Sequence, residues 1–392
     1  MNISHLVKMI NELLAPADAG ADSGDSVRAD EKSRRIERDF RVAPGQKLSV
    51  ELVSGAVVVE GWERDVVSVT AGLEDGDWGD YDVKFKQDAS GLRLSCRNRD
   101  KGRVSLGRLR FEVRVPRRFD LEVRLAGGDI RIASVEGVMK GATMGGGMCL
   151  SDLKGRVDLT TMGGDVTLVD SAVGGRVETM SGRVLIRNVV GDVKAHSTAG
   201  EVVYEDASQV VGPEAAGGGR EEVVRVSSAG GDVRIEDAPA GAEVTNNGGD
   251  IDIRSAARFV KARTLGGDIR IGALDGWLDA STGGGDIDVR MVGDAAQGRR
   301  DVTLASNGGD IRLAVPAGLS MSIEVELAYT HNSRQDYAVN TDFEVRERRT
   351  AEWDASRGTP RKYIYATGGV GGGRHRIKIK TVNGNVYLSK SS

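Results

Sequence analysis

Short bursts of apolar, polar, apolar residues recur along the chain. They read Ile130/Ile132, Val166/Leu168, Val184/Ile186, Val233/Ile235, Ile251/Ile253, Ile269/Ile271, Ile287/Val289 and Ile311/Leu313. Alternation of this kind marks a strand with one packed face, a place that favours β-branched side chains. Each burst follows a Gly-Gly-Asp corner or a degenerate copy of one. The corner acids are Asp129, Asp165, Asp232, Asp250, Asp268, Asp286 and Asp310, while poorer copies align Met148, Arg183, Glu201 and Asn385 with them. From 129 to 310 the steps lie between 17 and 19 residues, except for 31 from Glu201 to Asp232 and 24 from Asp286 to Asp310. The longer steps hold polar insertions around Gly212–Glu222 and Asp294–Arg300, which are expected on loops. A repeat near 18 predicts a single-stranded, all-β solenoid (a β-helix), each turn burying its apolar face against the next.

Two further columns support that register. Six residues before the acid stand Leu159, Val177, Val226, Val244, Ala262, Ala280 and Leu304. Four before it stand Thr161, Thr179, Ser197, Ser228, Asn246, Thr264, Thr282 and Ser306. The second column shares the parity of the apolar one, so a ladder of small polar groups is expected just inside the glycine corner. Side chains one strand spacing apart are expected to hydrogen-bond along the stack. The glycines suit a sharp turn or a close approach of backbones.

The flanks are less regular. Residues 1–14 place Ile3, Leu6, Val7, Ile10, Leu13 and Leu14 on one face of a short amphipathic helix, which is marginal unless something covers it. Residues 15–35 lack periodicity and read as a flexible linker. Residues 36–125 form a strand-rich N-terminal cap. It holds a weak repeat at Ser54-Gly55-Ala56 and a hairpin from Tyr81–Lys86 to Leu92–Cys96. Regular repeats occupy 126–316. Residues 317–392 hold C-terminal strands, a polar excursion and a closing repeat with Asn383-Gly384 at its corner and Thr381 in the small-polar column.

Composition fits one elongated repeat domain. Of 392 residues 54 are Gly and only 4% are aromatic, so the core is aliphatic. A net charge of −4 with 29% charged residues gives a surface of mixed sign, without the clustered Lys and Arg of a nucleic-acid footprint. Cys96 and Cys149 do not make a disulfide framework. Residues 1–14 have no basic start and no continuous apolar run, so they do not read as a signal peptide, and they are too short to span a bilayer.

The Gly-Gly-Asp corners at 18-residue spacing, the early Ser54–Trp62 run SGAVVVEGW and the closing Ile377–Leu388 run IKIKTVNGNVYL resemble a bacterial β-strand-repeat family that carries an adhesin label and is a domain of unknown function. The resemblance spans residues 36–390 and implies a β-helical fold, with no catalytic residues to transfer.

Candidate chemistry is sparse. Calcium needs six to eight oxygens. The acid column follows Gly-Gly directly, unlike the calcium-binding β-roll repeat, and it is interrupted. The acids are therefore read as structural corner caps of the Asx type, with Arg131, Arg234, Arg270 and Arg312 two residues on to offset a like-charge row. The histidines, His5, His196, His331 and His375, are scattered, and no Gly-x-Ser-x-Gly nucleophile motif occurs. The expectation is a non-enzymatic scaffold or interaction protein with no cofactor and no metal. Its partner is expected to be another protein or a second copy, met through the N-terminal helix. Leu6, Ile10, Leu13, Tyr337 and Trp353 are the candidate contacts, and peripheral membrane contact is the alternative. The expected location is the cytoplasm, with the cell surface, and an exported adhesin of extended ligands, as the rival. A cation-binding or polysaccharide-active β-helix is the remaining alternative.

Overall fold

A computed structural model describes residues 25–26, 35–99, 108–205, 223–333, 336–356 and 358–391. The predicted N-terminal helix with Leu6, Ile10 and Leu13, and the insertion Gly212–Glu222, lie outside the described residues. The described chain is all-β, with one short 3-10 turn at Trp78–Asp80. It divides into two compact units between His196 and Ser197.

In the first unit the 18-residue period becomes a hydrogen-bonding register. Ile130 pairs with Met148, Met148 with Val166 and Val166 with Val184, all in parallel. A second column runs beside it, Leu125 to Thr143 to Thr161 to Thr179. Strands buried on one face and stacked in register bury Ile130, Met148, Val166 and Val184 together, each at most 2% exposed. This register corrects one alignment. Asp129 is matched by Gly147 and not by Met148, which belongs to the buried apolar column. With Gly147 in place the steps from 129 to 183 are uniform. Between the two strands of a turn the chain bends at Ser134, Asp152, Asp170 and Asn188, all near φ +50 to +59, where short polar side chains are tolerated.

The N-terminal cap continues the same two columns before departing from them. Val57 pairs in parallel with Ile130, and Leu52 with Leu125, so Ser54-Gly55-Ala56 is a corner of the same stack. Outside it lie antiparallel strands: Tyr81–Asp88 with Gly91–Asn98, the expected hairpin, and Val66–Leu73 between Leu109–Pro116 and Arg35–Arg41. Within the expected linker, Asp25 and Ser26 form a two-residue strand against Phe85 and Lys84. Backbone pairing there needs no periodicity, which is why the sequence pattern missed it.

The second unit repeats the arrangement. Val226, Val244, Ala262, Ala280, Leu304 and Ile379 form one column, and Val233, Ile251, Ile269, Ile287, Ile311 and Val386 the other. Here chain order and spatial order part. The repeat expected to close this end, His375–Val382 and Val386–Ser391, stacks directly on Val302–Ser306 and Ile311–Pro316. Strands earlier in the chain, Met321–Thr330 and Val339–Thr341, then lie outside it. Arg361–Val370 and Val345–Arg349 extend the sheet antiparallel beyond Met321–Thr330.

The insertion between Val292 and Asp301 is pinned by a residue the pattern did not mark. Arg300 is 2% exposed. Its guanidinium donates to the carbonyls of Val292 at 2.7 Å, Asp294 at 3.0 Å and Gln297 at 3.1 Å, and to Asp275 Oδ1 at 2.7 Å. A buried cation is tolerated when its donors are satisfied this fully.

Candidate interaction surface

The glycine corner is built from three interlocking contacts. First, the second glycine of each pair lies against the backbone of the preceding turn. A Cβ on Gly146, Gly164, Gly231, Gly267, Gly285 or Gly309 would stand 1.9 to 2.3 Å from a glycine carbonyl oxygen one turn back. Only a residue without a side chain fits.

Second, the small-polar column ties to that same backbone. Thr161 Oγ1 donates to Gly146 O at 2.9 Å and accepts from Gly164 N at 3.3 Å. Thr179, Thr264, Thr282 and Ser306 repeat both bonds one turn further on. Asn246 does so with its amide, Nδ2 to Gly231 O at 2.9 Å and Oδ1 from Gly249 N at 3.3 Å. Ser197 accepts from Gly200 N at 2.9 Å, and Ser228 donates to Gly231 O at 3.0 Å. The expected bonding from side chain to side chain along this column is therefore replaced by bonding to glycine backbone. Neighbouring turns are about 4.8 Å apart, too far for two hydroxyls to meet at about 2.8 Å.

Third, each corner acid reaches forward. Asp129 Oδ1 accepts the Gly147 N–H at 2.9 Å, and Asp165 accepts that of Arg183 at 2.7 Å. In the second unit Asp232, Asp250, Asp268, Asp286 and Asp310 accept from the residue at the acid position of the following turn, at 2.7 to 2.9 Å. This bond links two turns, whereas an Asx turn would stay within one corner. The other carboxylate oxygens take arginines. Arg270 spans Asp250 at 3.4 Å and Asp268 at 2.5 Å, and Arg312 spans Asp286 at 3.4 Å and Asp310 at 3.0 Å. Arg234 reaches Glu201 at 2.9 Å. Outward positions alternate in sign along the register, Arg234, Asp252, Arg270, Asp288 and Arg312, which keeps like charges from facing each other. Among the described residues no group of three or more His, Cys, Asp or Glu is placed to hold a metal ion.

The aromatic candidates gather at the C-terminal strands. Trp353, 39% exposed, stands edge-on to Tyr329 at 5.8 Å and to His331 at 5.0 Å, with Lys362 Nζ 5.0 Å from its centroid. Tyr337 is 9% exposed and packs on Tyr329, its hydroxyl accepting from Ser333 Oγ at 2.9 Å. Tyr363 and Tyr365 stack 5.7 Å apart under Arg348. Tyr337 therefore supports the cluster from within, and Trp353 presents it to solvent. Tyr329, His331 and Lys362 were not singled out as contacts by sequence, because no spacing rule brings three separate stretches of chain to one ring. A second pair outside that reasoning is Phe259 on Trp277. The parallel register sets them side by side, the rings stack at 5.1 Å, and Lys261 and Arg299 lie over them.

Two such units of parallel strands with glycine corners define a β-strand repeat protein. Residues 220–389 match the family model described as Toastrack DUF4097, a domain of unknown function, and there the resemblance read from the repeats is met. No curated relative matches the chain. Among solved structures a "putative cell adhesion protein" from Clostridium sporogenes ATCC 15579 is similar, with 10% identity, coverage of 91% of this chain and 100% of that one, and a TM-score of 0.21. Among the described residues no helix is long and apolar enough to cross a membrane.

Proposed function

We propose that this protein is a non-catalytic, adhesin-like β-solenoid that binds or assembles partner proteins. The observation that carries the reading is the commitment of the corner carboxylates: each corner acid bonds a neighbouring turn, and most also hold an arginine, which leaves them to stabilise the stack. The exposed Trp353, backed by Tyr329 and His331, supports contact with a partner, since Trp and Tyr anchors dominate binding energy at protein interfaces. The cytoplasm is the proposed location and the cell surface the rival.

Fractionation of cells combined with protease shaving of intact cells tests this, using the full chain, a chain lacking residues 1–14, and Trp353→Ala. Protection from protease, with the native chain sedimenting in a complex that Trp353→Ala dissolves, supports the reading. Digestion on intact cells replaces it with the exported adhesin. A protected chain that sediments as free protein with and without Trp353 overturns both.

A further inference from the structure

In the first unit Ala56, like Gly147 and Arg183, stands at an acid position without a carboxylate. Ala56 occupies the acid position of the earliest corner in the stack, because Val57 pairs in register with Ile130 just as Ile130 pairs with Met148. The glycines confirm the equivalence. A Cβ on Gly128 would lie 1.9 Å from Gly55 O, the same close approach made by Gly146 to Gly128. Asp129 and Asp165, the acids of the later rungs in this unit, each accept the N–H one turn on. At Ala56 a methyl group takes that place, so among the described residues no carboxylate caps the N–H of Asp129.

A cleft of about 420 Å³ opens at this corner, lined among others by Ser54, Ala56, Arg108, Leu109, Arg110 and Asp129. Ser54 Oγ is buried there without a hydrogen-bond partner among the described residues. Arg108 and Arg110 therefore line the same cleft as an uncapped N–H and an unpaired hydroxyl. Arg110 also holds Glu112 at 2.9 Å. Two acids face the same space: Glu74, and Asp129, whose Oδ1 is already engaged by Gly147 N. We propose that this cleft binds a carboxylate. One oxygen takes the place against the Asp129 N–H that a corner carboxylate holds at the later rungs, the hydroxyl of Ser54 donates to the group, and Arg108 and Arg110 supply the charge. Charge-assisted hydrogen bonds to a carboxylate are the strong ones, and they gain where water is partly excluded. The apolar wall of Ala56 and Leu109 suits the short aliphatic stem of a small organic acid or of an acidic side chain.

The test is isothermal titration of the full chain with two probes, acetate and the blocked peptide acetyl-Gly-Gly-Asp-amide. Saturable binding of acetate with equal or weaker peptide binding assigns a free small acid. Tighter peptide binding assigns an acidic side chain. Ala56→Asp supplies the missing rung in cis, so it is expected to weaken the better probe at least tenfold and to raise the melting temperature of the unliganded chain. Ser54→Ala removes one donor and is expected to weaken binding about tenfold, the size of one hydrogen bond to a charged group. It also keeps the test open if Ala56→Asp does not fold. Absence of saturable binding of either probe at millimolar concentration, or binding unchanged in a folded Ala56→Asp or in Ser54→Ala, overturns the proposal. Neither result bears on where the protein resides or on Trp353, so this site and the partner surface fail separately.

Discussion

Thr160 and Thr161 are adjacent and equally buried, at 1% and 0% exposed, yet their hydroxyls do opposite things. Thr161 Oγ1 joins two glycine corners, donating to Gly146 O and accepting from Gly164 N. Thr160 Oγ1, across the sheet from it and paired in register with Ala142, has no partner among the described residues. Valine keeps the shape of threonine and deletes the hydroxyl. At position 161 it strands a carbonyl and an N–H, at about 1–2 kcal/mol for each group left unpaired, or about 2–4 kcal/mol together. At position 160 no bond is lost and an unpaired hydroxyl leaves the interior, so Thr160→Val is neutral or stabilises by about 1 kcal/mol. Urea unfolding of the full chain followed by far-UV circular dichroism reads the difference. The slopes are compared as well, since two units need not unfold in one step. With a slope of about 2–3 kcal/mol per molar urea, the midpoint of the first unit falls by about 1 M for Thr161→Val and holds or rises for Thr160→Val. Equal falls, or a larger fall for Thr160→Val, would refute the claim that hydroxyl-to-glycine bonds hold the corner.

Within one corner the two glycines are expected to differ. A Cβ on Gly164 would stand 2.1 Å from Gly146 O, whereas on Gly163 the nearest atom is at 3.5 Å. Gly164→Ala should cost more than about 4 kcal/mol and abolish soluble yield, and Gly163→Ala should stay within about 1 kcal/mol. Comparable yields and urea midpoints would count against stacking of the corners. Burial, with Asp82 adding to it, pushes the Cys96 thiol up to about 12, while Cys149 is exposed. A thiol reagent at about pH 8 should therefore modify one cysteine in the native chain and two after denaturation. His375, 4% exposed, accepts the Arg300 N–H at Nδ1. Burial first, then Arg374 and Arg300 against the opposing pull of Asp301, holds its pKa below the usual histidine value. The folded state thus favours the neutral ring. Its contribution is present above about pH 6.5 and is lost as the pH falls from there toward the lowered folded value. Melting temperatures at about pH 7.5 and about pH 5.5 should drop more for the native chain than for His375→Gln, and an equal drop would remove His375 from the account.

Much of this structure is legible in the chain because every turn solves the same local problem. Alternation of Ile and Val beyond the corner identified the strands, and the recurrence near 18 identified parallel stacking, since identical turns bury identical faces only against one another. The same local logic located the buried threonines and the acids. It misplaced one rung, taking Met148 for the acid position, because a motif of two glycines cannot tell which of Gly145, Gly146 and Gly147 turns the chain. Only the pairing of Ile130 with Met148 does.

What the tertiary structure alone decided is everything that depends on which segments become neighbours. The Asp side chains hydrogen-bond forward by a whole turn, the hydroxyls reach back to glycine carbonyls, and Arg300 finds three carbonyls in a folded-over loop and a carboxylate on a strand beside it. The repeat near the C-terminus inserts beneath strands that precede it in the chain. Ala56 lies beside Asp129, 73 residues on, and both line one cleft. A one-dimensional pattern records what each residue prefers. The distances that turn those preferences into bonds arise only once the turns are laid on one another.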